Sequence, residues 1–315
     1  AALHIALLAA GLGPAHEVIV PSMTFCATIQ AILACGARPV FIEVDPDTLC
    51  IEPDDVLAAI TPATRAVMPV LYGGRAVDLT TIHHVLAERD ILIIEDAAHA
   101  FGSHNGTRRV GATGTLTCFS FGPIKNLTCT QGGMIIPADP RQASTARKLR
   151  GLGIVQSAAQ RSASTSYTVD GFGLRAQMPA LNAAIGTVQL AHFATAESVR
   201  KRLWLTYQAA LKNLEAVTLI DADVEHSVPS LCAVRVPARD QVFQLLREQG
   251  VGVGVHYPPN HLQPAFARWH RSLPVTEAIG EQIMTLPFHQ HLTDHHIHHV
   301  VAQLEHALAA VKAAK

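Results

Sequence analysis

Lys125 stands just beyond a short apolar run at 118–121, among the small and ring-constrained residues Gly122 and Pro123 and ahead of Gly132-Gly133. The run at 91–94 has the same form and leads into Glu95, Asp96 and His99. In parallel α/β sheets ligands lie outside the carboxyl ends of the strands, so this pattern gathers an amine, a carboxylate and an imidazole in one crevice. Three chemistries fit such a set. A lysine can condense with an aldehyde cofactor while a carboxylate pairs with a protonated pyridine nitrogen. Hydride transfer is the second, but no GxGxxG follows an early strand, and Gly11-Leu12-Gly13 ends a helix instead of opening one. Phosphate hydrolysis through Asp96 is the third, and no second metal-binding carboxylate is suitably spaced from it. On the aldehyde-cofactor reading, Ser120 donates to a phosphate, together with the free N–H groups of a helix beginning at Ala1 and Ala2. Phe25, at the start of a helix, then stacks on the pyridine ring. Each residue also has an ordinary alternative, such as a solvated lysine or a structural histidine, so the residues alone leave the choice open.

The elements that must position these groups alternate. Helix is expected at 2–12, stopped by Gly13-Pro14, then strand at 17–20, helix at 25–35 and strand at 39–44. Strands at 64–70 and 90–94 are separated by helical text at 54–60 and 79–88, which predicts a mainly parallel sheet with helices on both faces. Strands at 114–121 and 133–136 follow, the second an antiparallel neighbour. A basic helix lies within 138–153, a Ser/Ala/Gln/Thr-rich loop at 154–170, and one long helix at 181–202. The pattern then changes to strand at 230–236, helix at 239–249, strand at 252–257, and helices after Pro274 and Thr293. This predicts a large domain over 1–190, and a connecting helix with a small α+β C-terminal domain over 191–315.

Bulk properties narrow the class. The chain has 315 residues, 49% of them apolar, enough for a substantial core. A formal charge of -1, with 16% charged residues, gives no footprint for nucleic acid. No apolar run reaches the length of a membrane span, and the apolar start lacks the basic region of a signal peptide. Six cysteines without a CxxC pair fit buried thiols in a reducing cytoplasm. Ala1 opens directly into helical text without a cap residue, from which residues upstream of it are expected. The histidines at 289, 291, 295, 296, 298 and 299 lack the spacing of a zinc site, and no metal is expected.

The segments PSMTFCAT, GARPVFIEVDPDT, AITPATRAVMPVLYGG, IIEDAAHAFG, FSFGPIKNLTCTQGG, NAAIGTVQL and GVHYPPNH, in this order, resemble the DegT/DnrJ/EryC1/StrS family of sugar aminotransferases. The resemblance covers essentially the whole chain and is closest to the branch that makes 4-amino-4-deoxy-L-arabinose on a UDP carrier. It implies the aspartate-aminotransferase-like fold (fold type I), pyridoxal 5'-phosphate as cofactor, and transfer of an amino group from L-glutamate to a nucleotide-linked 4-keto sugar. Lys125 stands where the family has its Schiff-base lysine; histidine there would imply a dehydratase. Asp96 stands for the residue on the pyridine nitrogen, and His99 lies near the phenolic oxygen, where glutamine is more common. Ser120 and the backbone around Ala1 stand for the phosphate site, and Phe25 for the stacking ring. His256 and Tyr257 match the pair that faces substrate.

Departures from the family pattern concern substrate preference. Gln177 replaces a phosphate-binding asparagine given by the neighbouring subunit, keeping an amide one methylene further out. Arg175 replaces lysine, preserving charge but not geometry, and is a candidate for a carboxylate or diphosphate contact. Gln131 replaces an acid, and Leu71 a histidine. The family pattern implies a homodimer with shared active sites. Another keto sugar or a cyclitol as acceptor, or a regulatory relative with impaired catalysis, are the alternative functions.

Overall fold

The computed structural model describes residues 1–314. Its central sheet has six strands in the order β2-β1-β3-β4-β7-β8. These are β1 (Glu17–Pro21), β2 (Arg38–Ile42), β3 (Thr64–Val67), β4 (Leu92–Asp96), β7 (Leu116–Ser120) and β8 (Gly133–Ile136). The first five pair in parallel and β8 runs antiparallel to β7, as the sequence predicts. A small hairpin, β5 (His104–Asn105) with β6 (Arg108–Arg109), lies between β4 and β7 in the chain.

Side chains alternate across a strand, so a sheet covered on both faces sends successive residues into different cores. Along β1, Ile19 joins one apolar cluster with Val67 and Leu71, while Val18 and Val20 join another with Ala66, Met68, Ile29 and Ile32. The second cluster is closed by α1 (Ala2–Ala9) and α2 (Cys26–Ala34). The first is covered by α3 (Pro53–Ala59) and α4 (His83–Glu88), through Val56 and Leu86, and continues into Ile220, Ala233 and Ile283 of the C-terminal part.

Parallel pairing sends β1, β4 and β7 out at the same edge. Asp96 at the end of β4 registers with Cys118, two residues before the end of β7. The residues flagged in the sequence thus emerge side by side.

Beyond β8 come α5 (Pro140–Arg150), α6 (Ala158–Ser162), α7 (Ala180–Ala191) and α8 (Phe193–Leu211). Asp139 caps α5 by accepting from the Gln142 N–H, and Arg147, Lys148 and Arg150 occupy its last turn, where cations suit the helix dipole. The single helix expected at 181–202 is two helices, α7 and α8, broken at His192 (φ −100°, ψ 3°). The break brings Phe193 edge-on to Phe101, with ring centroids 4.9 Å apart.

The C-terminal part holds β9 (Thr218–Leu219), β10 (Cys232–Arg235), α9 (Arg239–Glu248), α10 (Pro274–Gln282), β11 (Ile283–Leu286) and α11 (Asp294–Ala313). Its three strands run antiparallel in the order β11-β10-β9. Leu203 and Tyr207 of α8 pack there with Val234, Leu246, Ile297 and Leu304. The strand expected at 252–257 is reduced to one bridge, Gly254 to Thr285, while β11 was not foreseen. Among the described residues no helix is long and apolar enough to cross a membrane.

Candidate active site

A cavity of about 480 Å³ opens at the carboxyl edge of the sheet, and its walls include Ala1, Phe25, Asp96, His99, Ser120, Lys125, Gln177 and Tyr257. Residues far apart in sequence meet here because β1, β4 and β7 are parallel neighbours of one another or of β3.

Asp96 is buried. Its Oδ2 accepts from the Thr28 hydroxyl at 2.7 Å and its Oδ1 from the Ala98 N–H at 3.2 Å. Thr28 lies on α2 one turn after Thr24, whose hydroxyl is 2.9 Å from its own, so Thr28 accepts from Thr24 while donating to Asp96. Burial raises the Asp96 carboxyl above its usual range, with Thr28, Ala98 and the Lys125 charge opposing. A buried carboxylate in this state gains from a cationic partner.

Lys125 sits in a turn closed by its own N–H on the Gly122 carbonyl at 3.2 Å. Burial lowers its ammonium below the ordinary lysine range, with Asp96 opposing. Its neighbour Asn126 is buried and donates to the carbonyls of Val228 (2.9 Å) and His99 (3.3 Å). Gly74 packs into the same knot: a Cβ there would lie 2.5 Å from the Val228 oxygen.

His99 accepts the Gly73 N–H at Nδ1 (3.3 Å), which leaves Nε2 to carry the hydrogen toward the Tyr257 oxygen 3.0 Å away. Burial, then the charge of Lys125, holds His99 well below the ordinary histidine range, in keeping with this neutral tautomer. Tyr257 also faces Phe25, ring centroids 5.6 Å apart, and Phe25 is 56% exposed at the cavity mouth. Ser120 and the start of α1 line the same cavity.

The remaining candidates divide between the cavity and its surroundings. His256 is not in the cavity wall; its Nδ1 lies 2.8 Å from the Thr285 hydroxyl, which holds the ring toward β11. Arg175 is exposed and outside the wall, because its backbone bridges to Gly151 beyond α5. Gln177, expected to serve a neighbouring subunit, borders the cavity of its own chain, where the Met178 methyl packs against Gly132. Leu71 lies in the core, its N–H on the Asp96 carbonyl at 3.1 Å, while Gln131 does reach the cavity. Thr28 and Asn126 are the polar residues that sequence reasoning missed. The spacing of Thr24 and Thr28, one turn apart, was the available signal for the first.

The donor set suits pyridoxal phosphate. An amine whose charge burial disfavours, a buried carboxyl that gains from a cationic partner, a hydroxyl beside the start of α1 and an aromatic ring at the mouth share this cavity.

Comparison with known proteins agrees. The family model of the DegT/DnrJ/EryC1/StrS aminotransferase family matches residues 1–305. The aminotransferase TlmJ from Streptoalloteichus hindustanus is 33% identical, over 98% of this chain and 84% of that one, with a TM-score of 0.90. The sugar aminotransferase CalS13 from Micromonospora echinospora is 29% identical, over 97% and 84%, with a TM-score of 0.87. Spr1654 from Streptococcus pneumoniae, in its PLP form, is 26% identical, over 98% and 85%, also with a TM-score of 0.90.

Proposed function

Because the chain belongs to the DegT/DnrJ/EryC1/StrS aminotransferase family and is a pyridoxal-phosphate-dependent aminotransferase of fold type I, we propose that it moves the amino group of L-glutamate to a nucleotide-linked 4-keto sugar. The observation that carries this reading is the meeting of Lys125 and Asp96 in one cavity with Ser120 and the start of α1. The sugar reading is supported by sugar aminotransferases among the similar structures, and by the motifs at 21–28, 93–102 and 119–133.

When bound, pyridoxal phosphate supplies an aldehyde that condenses with amines and a ring that draws electrons from the bond being broken. The protein's own groups do the rest. Lys125 Nζ, whose charge burial disfavours, would be the group that takes the proton from the donor's Cα and later returns it. The Asp96 carboxylate would hold a proton at the pyridine nitrogen, with Thr28 donating to its Oδ2 and the Ala98 N–H to its Oδ1. His99, through Nε2, orients the Tyr257 hydroxyl at the cavity wall. Ser120 and the start of α1 would hold the phosphate, and Phe25 would cover the ring.

The active enzyme is a homodimer on this reading. Nothing on α7 is buried within the chain; Leu181 is 73% and Val188 58% exposed, and nearby Phe172 is 98% exposed. Such an apolar face suits a second copy. The six unpaired cysteines accord with a cytoplasmic site of action.

The test is an assay of UDP- and dTDP-linked 4-keto sugars with glutamate as donor, following 2-oxoglutarate. Amination of either sugar supports the assignment. Turnover with a keto sugar substituted elsewhere, or with a cyclitol, and none with a 4-keto sugar, would replace the acceptor while leaving the reaction class.

A further inference from the structure

Away from the cofactor cavity, two imidazoles and a carboxylate converge where the C-terminal part docks on the sheet. His261 lies in the turn Asn260–Leu262, His270 follows the turn Pro264–Trp269, and Glu277 occupies the first turn of α10. One ligand atom from each lies within 4.8 Å of the others. The tightest pair is His261 Nε2 to Glu277 Oε1, 3.2 Å. Two bonds of zinc length at a tetrahedral angle separate their donor atoms by about 3.3 Å, so this pair already has the spacing of two ligands on one ion.

The surroundings are those of a built site. His261 is buried, and the fully enclosed Ser22 hydroxyl lies 2.6 Å from its Nδ1, holding the ring so that Nε2 faces Glu277. A partner on the far nitrogen that fixes the ring and tautomer is the usual support of a ligating histidine. His270 stands exposed at the rim, which gives an ion a path in. Glu43 is nearby but engaged, capping α10 through the N–H groups of Val275 (3.1 Å) and Thr276 (2.8 Å). Glu277 keeps its own bond to the Leu273 N–H at 2.9 Å through the same oxygen that faces His261.

We propose that His261, His270 and Glu277 form a binding site for a first-row divalent cation, zinc being the ion best matched to two imidazoles and one carboxylate. Three protein ligands leave a fourth position for water. The site is structural in its effect. His261 donates its backbone N–H to Ser22 Oγ at 3.0 Å, and Asn260 donates its side-chain amide to the carbonyls of Ser22 (2.9 Å) and Thr24 (2.6 Å). An ion here therefore ties α10 and the 260–270 turns to the loop that carries Thr24 and Phe25 to the cofactor.

The experiment adds zinc alone to the purified holoenzyme in competition with a chromophoric chelator, and follows the unfolding temperature in parallel. One zinc per chain should bind at micromolar concentration or below and raise the unfolding temperature. His270→Ala, at an exposed position, should weaken binding by at least about 100-fold, and Glu277→Gln should do so independently. A His295→Ala/His299→Ala variant of the histidine-rich α11 should bind as the parent does. Absence of stoichiometric zinc, binding untouched by both His270→Ala and Glu277→Gln, or loss of the bound ion in the α11 variant would overturn the proposal.

Discussion

Thr28 reaches from the first turns of α2 to donate a 2.7 Å hydrogen bond to Asp96, 68 positions later in the chain, and Thr24 backs it at 2.9 Å. A hydrogen bond to a charged group is worth about 1.5–3 kcal/mol. Thr28→Val should therefore lower the rate of the half-reaction with the amino donor by about tenfold to hundredfold, with Thr28→Ser restoring most of it. Stopped-flow measurement of that half-reaction decides the point; an unaltered rate in Thr28→Val would remove Thr28 from the mechanism.

Lys125→Ala should abolish turnover and the visible absorbance that the cofactor shows when joined to the protein. The depressed ammonium makes a second expectation possible in cofactor-free protein. The neutral amine appears as pH rises through the pKa, so a lowered value moves its reaction with amine-labelling reagents to lower pH. Peptide mapping across a pH series should find Lys125 labelled before the surface lysines.

His99 supplies an acceptor to Gly73 and a donor to Tyr257 while remaining neutral. Glutamine carries both functions, so His99→Gln should fold and retain most activity. His99→Leu leaves both partners unsatisfied and should cost about 1–3 kcal/mol of stability for each. The pH dependence has a definite sign. Below the ordinary histidine value of 6.5 the unfolded chain takes up a proton at this residue and the folded chain does not. Stability contributed by the neutral ring is thus present above that pH and lost as pH falls, and denaturant titrations should show a smaller acid loss in His99→Gln.

If α7 meets a second copy, charge placed on it should separate the two. Leu181→Glu with Val188→Glu should sediment with the mass of one chain, where the parent sediments with twice that mass. Both positions are exposed within the chain, so the far-ultraviolet circular dichroism should be unchanged.

The sheet was legible because its inner strands are largely buried on both faces and carry short apolar runs, as in Val18-Ile19-Val20 and Ile93-Ile94. Asp96, Ser120 and Lys125 were legible because they lie at or shortly after the ends of such runs. The break at His192 was not, since 181–202 keeps helical composition throughout and the turn serves a distant partner, Phe101. His256 adjoins Tyr257 in a matching motif, yet its ring is directed by Thr285, 29 positions away. Thr28 meets its carboxylate only because β4 delivers Asp96 to α2 from 68 positions away. Contacts of this kind depend on the packing of whole elements, which no local pattern records.

Asn126 gives the neighbouring lysine a mechanical character. With its amide fastened to the backbones of His99 and Val228, the peptide that carries Lys125 is a fixed pivot, pinned to the sheet edge on one side and to the C-terminal part on the other. The four-carbon arm can swing while its axle stays still. If Lys125 holds the cofactor as proposed, such an anchored arm would bring its nitrogen back to the same point after each swing.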